Sequence, residues 1–230
     1  DGHCEASQIE AGGDIIIRKG CQGKGLGKII AGKSIVGQFF ESAVLTAGKD
    51  VQATYLLNCQ LKANGKLLVE GRKGVIIGGK TCAKLGVSCN GIGNIAEIAT
   101  VVSVGIDKED MTAYQELQKK IEQTQAELQT CENGLNKLMA NPVHDEKVSM
   151  MIQRLTRAVY TLKSSRKELF SERNAQMEQM TKQKEARIQV SGRAYPGTLL
   201  FLNEDPFAIK EIYNNVEFVK HDNRIDTLAH

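Results

Sequence analysis

The chain has 230 residues, 41% hydrophobic and 25% charged, with a formal net charge of +3. These are ordinary values for folded domains and leave room for one large domain or two small ones. With no basic tail, no Trp and only 5% aromatic residues, nothing supports a nucleic-acid or anionic-membrane partner or a base-stacking surface.

Glycine is unevenly placed. There are 22 glycines against 3 prolines; they crowd the first hundred residues and nearly vanish from the middle, which marks a boundary between two architectures. The first part repeats. Ala11-Gly12-Gly13-Asp14-Ile15 is followed by Ala31-Gly32-Lys33-Ser34-Ile35, Ala47-Gly48-Lys49-Asp50-Val51 and Ala63-Asn64-Gly65-Lys66-Leu67, with a looser copy at Gly78-Gly79-Lys80-Thr81-Cys82. The starts at 31, 47 and 63 are sixteen residues apart; the first step is four longer. A β-rich run follows each corner, such as Ile15-Ile16-Ile17 and Leu67-Leu68-Val69. A unit this short cannot enclose a core alone. Gly or Asn at the corner is expected to supply positive φ for a sharp turn. Stacking coils about 4.8 Å apart lets each strand bond to its neighbours. The prediction is a right-handed, single-stranded parallel β-helix, with about six coils between residues 7 and 104. A β-sandwich would also give short strands, but does not need one corner sequence at a fixed step.

Two segments spell G-x-x-x-x-G-K-[ST]: Gly27 to Ser34, through Gly32 and Lys33, and Gly74 to Thr81, through Gly79 and Lys80. A phosphate-binding loop must leave a strand and open a helix, so that backbone N–H groups face the phosphates. A strand-like run, Ile35-Val36-Gly37-Gln38-Phe39-Phe40, follows the first match, and Gly86, Gly91 and Gly93 follow the second. Both are read as decoys that fall on repeat corners, so no cofactor is expected.

From about Lys108 the glycines stop and a 3.5-residue seam begins. Tyr114, Ile121, Leu128 and Leu135 take one heptad position; Leu117, Thr124, Cys131 and Leu138 take the other. Asn141-Pro142 is expected to stop the helix. A second seam of Ile152, Leu155, Val159, Leu162 and Leu169 continues to Met177 and Met180. The short link predicts an antiparallel coiled-coil hairpin, each helix longer than thirty residues. Polar Thr124, Arg166 and Arg173 interrupt the seams; Met150, Met151, Met177 and Met180 are expected between the helices rather than on a binding face. Strand character returns at Arg187-Ile188-Gln189-Val190, Thr198-Leu199-Leu200-Phe201-Leu202 and Val216-Glu217-Phe218-Val219, so the hairpin is an insertion. The expected division is residues 1–106, first part of the β-helix; 107–186, hairpin; and 187–230, strands completing or capping the β-helix.

Cys4, Cys21, Cys59, Cys82, Cys89 and Cys131 form no C-x-x-C pair and suit no common zinc spacing. They read as reduced thiols used as small apolar residues, which points to a reducing compartment. His3, His144, His221 and His230 are scattered and assigned to neither metal nor catalysis. No segment reaches the about 18 apolar residues of a membrane span. The chain opens at Asp1 without Met or a signal peptide, as a piece cut from a longer protein would.

The order of these features resembles the bacterial flagellar assembly protein A family. The resemblance rests on the A-G-G-D-[IV] type corners, the Gly74 to Gly79 segment, the exit Thr100-Val101-Val102-Ser103-Val104-Gly105, the hairpin, and Ala194-Tyr195-Pro196-Gly197-Thr198. It covers nearly the whole chain; the family usually carries an extra N-terminal domain that this sequence lacks, as expected of a piece of a longer protein. It implies a cytoplasmic, non-catalytic scaffold or regulatory protein linked to flagellar or cell-pole assembly, with protein partners and self-association, no nucleic acid, no membrane insertion and no small-molecule substrate. One alternative is an interaction module like the short β-helix of the cell-division inhibitor MinC, against which the long hairpin speaks. Another is an enzyme: a nucleotide hydrolase using the two decoy motifs, or a β-helix acyltransferase, whose strict six-residue period is missing. Asp14 and Asp50 sit singly at corners and make no lyase-like carboxylate cluster.

Overall fold

The computed structural model describes residues 2–71, 73–140, 145–222 and 224–229. The chain forms two compact units: residues 1–107 together with 180–230, and residues 108–179. The first is mainly β; the second holds two helices.

In the β unit, ten strands precede the helices: β1 (His3–Glu5), β2 (Gln8–Ala11), β3 (Ile15–Ala31), β4 (Ile35–Ala47), β5 (Val51–Ala53), β6 (Tyr55–Ala63), β7 (Leu67–Val69), β8 (Val75–Ala83), β9 (Val87–Ile92) and β10 (Thr100–Val104). Each coil lays down three strand segments, and each segment pairs in parallel with its counterpart in the next coil. The register makes inward columns. Ile15, Ile35, Val51, Leu67 and Val87 stack in the first segment. Cys21, Phe40, Leu56, Ile76 and Ile92 stack in the second. Ile29, Leu45, Leu61, Thr81 and Val102 stack in the third, beside a ladder of Ala11, Ala31, Ala47, Ala63 and Ala83. Nearly all of these side chains are buried, and large aliphatic burial of this kind contributes about 1.5–3 kcal/mol per side chain. Alternate residues face outward, which is the period-2 pattern of strands.

Coils start at Ile15, Ile35, Val51, Leu67 and Val87, giving about five turns. That is one fewer than the sequence suggests, because β1 and β2 supply only a partial coil on one side of β3. Two coils are twenty residues long rather than sixteen. The first carries bulges between Ile17 and Gly20 and between Gln22 and Gly27. The fourth carries its extra residues between Val69 and Val75.

Two expectations about the corners are corrected. First, Gly12, Gly13, Gly32, Gly48, Asn64 and Gly65 do not lie at positive φ. Left-handed residues recur instead at the bend between the second and third segments, at Ser42 (φ 48°), Asn58 (φ 50°) and Gly78 (φ 68°). The corner glycines answer a different constraint. A Cβ on Gly32 would fall onto the Gly12 carbonyl, and one on Gly48 onto the Gly32 carbonyl. Backbone lies on backbone there, held by Gly48 N–H donating to the Ala31 carbonyl (3.0 Å) and Lys49 N–H to the Lys33 carbonyl (3.0 Å). Second, Gly78 and Gly79 are not a copy of this corner. They lie within β8; the corner in register is Ala83-Lys84-Leu85-Gly86, where Lys84 N–H donates to the Ala63 carbonyl (3.0 Å).

Helix α1 (Lys108–Met139) begins with Glu109 and Asp110 in its first turn and has Lys137 in its last, charges that suit the helix dipole. Helix α2 (Glu146–Lys184) is capped by Asp145, whose carboxylate accepts from the Val148 N–H (2.8 Å). The stop expected at Asn141-Pro142 lies outside the described residues. An ion pair between Lys163 and Glu132 (2.8 Å), and Gly134 beside Leu155, set the two helices antiparallel.

After the helices come β11 (Ile188–Ala194), β12 (Thr198–Leu202), β13 (Asp205–Ala208), β14 (Tyr213–His221) and β15 (Arg224–Ala229). β11 and β12 add one more parallel layer, on β9 and β10. β13 then runs antiparallel to β12, β14 antiparallel to β11, and β15 antiparallel to β14. Tyr213 packs edge to face on Phe207 and Phe218, which are tilted on each other, with centroids 5.5–6.4 Å apart. This reversal, with its aromatic cluster, closes the end of the parallel array, which would otherwise be an aggregating edge.

If backbone contact is the reason for the corner glycines, Gly48→Ala costs about 1–3 kcal/mol by overpacking. Gly12→Ala, where a Cβ meets nothing within 4 Å, changes stability by less than about 0.5 kcal/mol. Urea unfolding midpoints of the two variants check this difference.

Candidate functional site

The two phosphate-loop matches lack the context that binding requires. Gly27 to Ala31 belong to β3, Gly32, Lys33 and Ser34 to the corner, and the chain continues into another strand, β4. Gly74 precedes β8, and Gly79, Lys80 and Thr81 lie inside it. Thr81 is buried in the third inward column rather than placed to meet a metal–phosphate group. Only the first match falls on the repeated corner. The second includes the Gly78-Gly79 bend, where both residues have positive φ and the Gly78 N–H donates to Thr100 Oγ1 (2.8 Å). Neither segment opens a helix, so no dipole or row of free N–H groups is presented to a phosphate.

The corner carboxylates have a structural partner each. Asp14 Oδ1 accepts from the Ser34 N–H (2.9 Å), and Asp50 Oδ1 from the Lys66 N–H (2.7 Å). Each ties one coil to the next at the same place. Lys33, Lys49 and Lys66 are exposed along this edge. Among the described residues no group of three or more His, Cys, Asp or Glu is arranged to hold a metal, and His221 pairs with Asp226 (3.1 Å); His144 and His230 lie outside the described residues.

A polar cluster marks the place where the chain leaves the coils and returns to them, and sequence reasoning missed it. Asn203, with φ 50°, uses its side chain twice: Oδ1 accepts from the Ile106 N–H (2.9 Å), and Nδ2 donates to the Lys184 carbonyl (3.2 Å). One amide therefore holds the outgoing and the returning strand of the chain. One coil earlier, nearly buried Lys84 pairs with Asp107 (3.8 Å). Gln183 is buried too, and its Oε1 has no hydrogen-bond partner among the described residues. Beside this root, Lys66, Leu85, Lys182, Glu185 and Arg187 line an open groove of about 510 Å³; Arg187 is also paired with Glu217 (3.1 Å). The signal for Asn203 was faint: it follows Leu202 as Asn64 follows Ala63, but the partners lie 97 and 19 residues away.

Within the helical unit Leu117, Ile121, Leu128 and Val159 are buried, while Leu135, Leu138, Ile152, Leu155, Leu162 and Leu169 are half-buried. Arg166 and Arg173 also lie half-buried, at the heptad positions that follow Val159. The Arg173 guanidinium stacks over Phe170 at 4.6 Å, a cation–π contact. Met177 is exposed and Gln176 takes the half-buried position beside it, because 3–4 spacing from Leu169 through Arg173 lands on residue 176. Met150 and Met151 are exposed as well, against the expectation that they pack between helices.

All six cysteines are free thiols. Burial pushes the Cys89 thiol up to about 12 and raises that of Cys59. Cys21 is likewise pushed up to about 12, by burial first and by its neighbour Cys4 second. None of these buried sulfurs is an activated nucleophile, which would need a lowered value. Over its residues 1–225 the chain matches the family described as the flagellar assembly protein A beta solenoid domain. Comparisons with curated proteins and with solved structures returned no match.

The thiols predict an alkaline limit. A free thiol in the unfolded chain titrates near about 8.5, so the folded state holds its proton longer. The stability this gives is full below about pH 8.5 and is lost as pH rises toward about 12, at up to about 1.4 kcal/mol per pH unit per thiol. Cys89→Ala should flatten this decline, read as urea unfolding at pH 8 and pH 10.5.

Proposed function

The chain belongs to the flagellar assembly protein A β-solenoid family, and from that premise we propose that it is a non-catalytic scaffold or regulatory protein acting through protein–protein contact. Its setting is flagellar or cell-pole assembly, in the cytoplasm, with self-association among its contacts. The reading is carried by one observation. Parallel pairing of β9 with β11 resumes in coil register, with Val87 opposite Ile188 and Cys89 opposite Val190 and one bulge between Val190 and Arg193, although the helical hairpin stands between the two strands in the chain. The hairpin thus adds nothing to the stacking of the coils. An insertion of that length, kept on a well-held root, serves to present surface.

The character of that surface agrees. Met150, Met151 and Tyr160 of α2 are exposed, and flexible thioethers with an aromatic ring suit adaptable protein contacts. The coils offer flat strand faces, and the corner carboxylates are spent on backbone N–H groups rather than gathered for acid–base work. Among the described residues no helix is long and apolar enough to cross a membrane.

The test compares the whole chain with a variant in which residues 108–184 are replaced by a two-residue corner. Both are used to capture partners from the native cytoplasm, and both are sized by light scattering. The proposal predicts a defined protein partner retained by the whole chain and lost by the variant, at unchanged solenoid circular dichroism. Equal capture by both would move the partner site to the coils. A strict monomer at high concentration would contradict self-association.

A further inference from the structure

The partial first coil meets the first complete coil through two cysteines. β1 runs parallel to β3, with His3 opposite Gly20, Cys4 opposite Cys21 and Glu5 opposite Gln22. Opposed residues on parallel strands point the same way, and the strands lie about 4.8 Å apart. A disulfide spans Cα atoms about 4.4–6.8 Å apart. His3 and Glu5 are exposed while Cys4 between them is half-buried and packed against the core. Cys21 is fully buried, and Cys4 is among the neighbours that push its thiol up. Both sulfurs therefore occupy one inward column. No other cysteines are opposed among the described residues: Cys59 faces Gly79, Cys82 faces Lys62 and Ser103, and Cys89 faces Val69 and Val190.

We propose that Cys4 and Cys21 are an oxidant-responsive dithiol, closing to a disulfide that staples the partial coil of residues 3–11 to the rest of the solenoid. The oxidant is a small disulfide such as oxidised glutathione. Cys4 is the more accessible sulfur. It loses its proton to solvent and attacks the oxidant, forming a mixed disulfide and releasing one glutathione thiolate. Cys21 then gives up its proton and attacks Cys4 Sγ. The Cys4–Cys21 bond forms, the mixed disulfide breaks and the second glutathione leaves. The two protein thiols lose two electrons and two protons, and one oxidised glutathione becomes two reduced ones. The buried Cys21 thiol, pushed up to about 12, is a poor first attacker, which assigns the order of the steps. The staple acts where it matters: β1 and β2 each pair with β3 alone, so this end of the column opens most readily.

The test treats the full chain with oxidised glutathione at neutral pH, alkylates the remaining thiols and digests without reduction for mass spectrometry. The expected product is a Cys4–Cys21 linked peptide, two hydrogens lighter than its parts and reversed by dithiothreitol. Hydrogen exchange across residues 3–11 should slow about tenfold. Cys4→Ser, at the half-buried position, should keep the circular dichroism of the parent and lose both the link and the slowing. Stable glutathione on Cys4 without linkage, or links running mainly through Cys82 or Cys131, would overturn the proposal. So would slowed exchange that persists in Cys4→Ser.

Discussion

The hydrogen bonding of each coil to the coils before and after it governs everything else in this chain. No coil has a core of its own, so its strands are satisfied only by neighbours in register. Register sets which side chains face inward, hence the columns of Ile, Val, Leu and Ala. It also forces backbone onto backbone at one corner, which is why Gly32 and Gly48 carry no side chain. Asp14 and Asp50 reinforce the same contact by accepting N–H groups of the next coil. The conserving of spacing, more than any single residue, is what this fold demands.

The hairpin is tolerated because it enters where the coils are least demanding. Val104 closes a third segment and Ile188 begins a first segment, so the insertion takes the place of one corner. Asn203 spans both ends of the break, and Lys84 with Asp107 braces it from the coil below. A corner needs only that its two ends lie close; what the chain does in between is free to serve contact with other molecules.

Much of this was legible beforehand, for physical reasons. Inward residues must be apolar and recur at the coil length, so Ile35, Val51 and Leu67 announce the columns. The heptads of α1 and α2 announce a seam because only a 3.5-residue period keeps one face buried. The misreadings have equally definite causes. The Gly78-Gly79-Lys80 copy falls close to one sixteen-residue step after Ala63, but the fourth coil is longer, and the true corner comes at Ala83-Lys84. At Gly32 and Gly48 glycine was read as a sign of positive φ when it marked close approach. The left-handed positions at the bend between second and third segments are Ser42, Asn58 and Gly78, and no local motif distinguishes the first two. Asn203 and the Cys4–Cys21 pair depend on residues brought together by register, and become visible only once the register is known.

The central claim is that the solenoid is one cooperative body, continued after the helices by β11 and β12. Residue-resolved hydrogen exchange of the full chain tests it most directly. The account predicts that Ile188, Val190 and Leu200 open with the same free energy as Val87, Cys89 and Val102, their register neighbours. Residues 108–179 should open separately, with free energies of their own. Exchange of Ile188, Val190 and Leu200 in step with the helices, and independent of Val87 and Cys89, would contradict it.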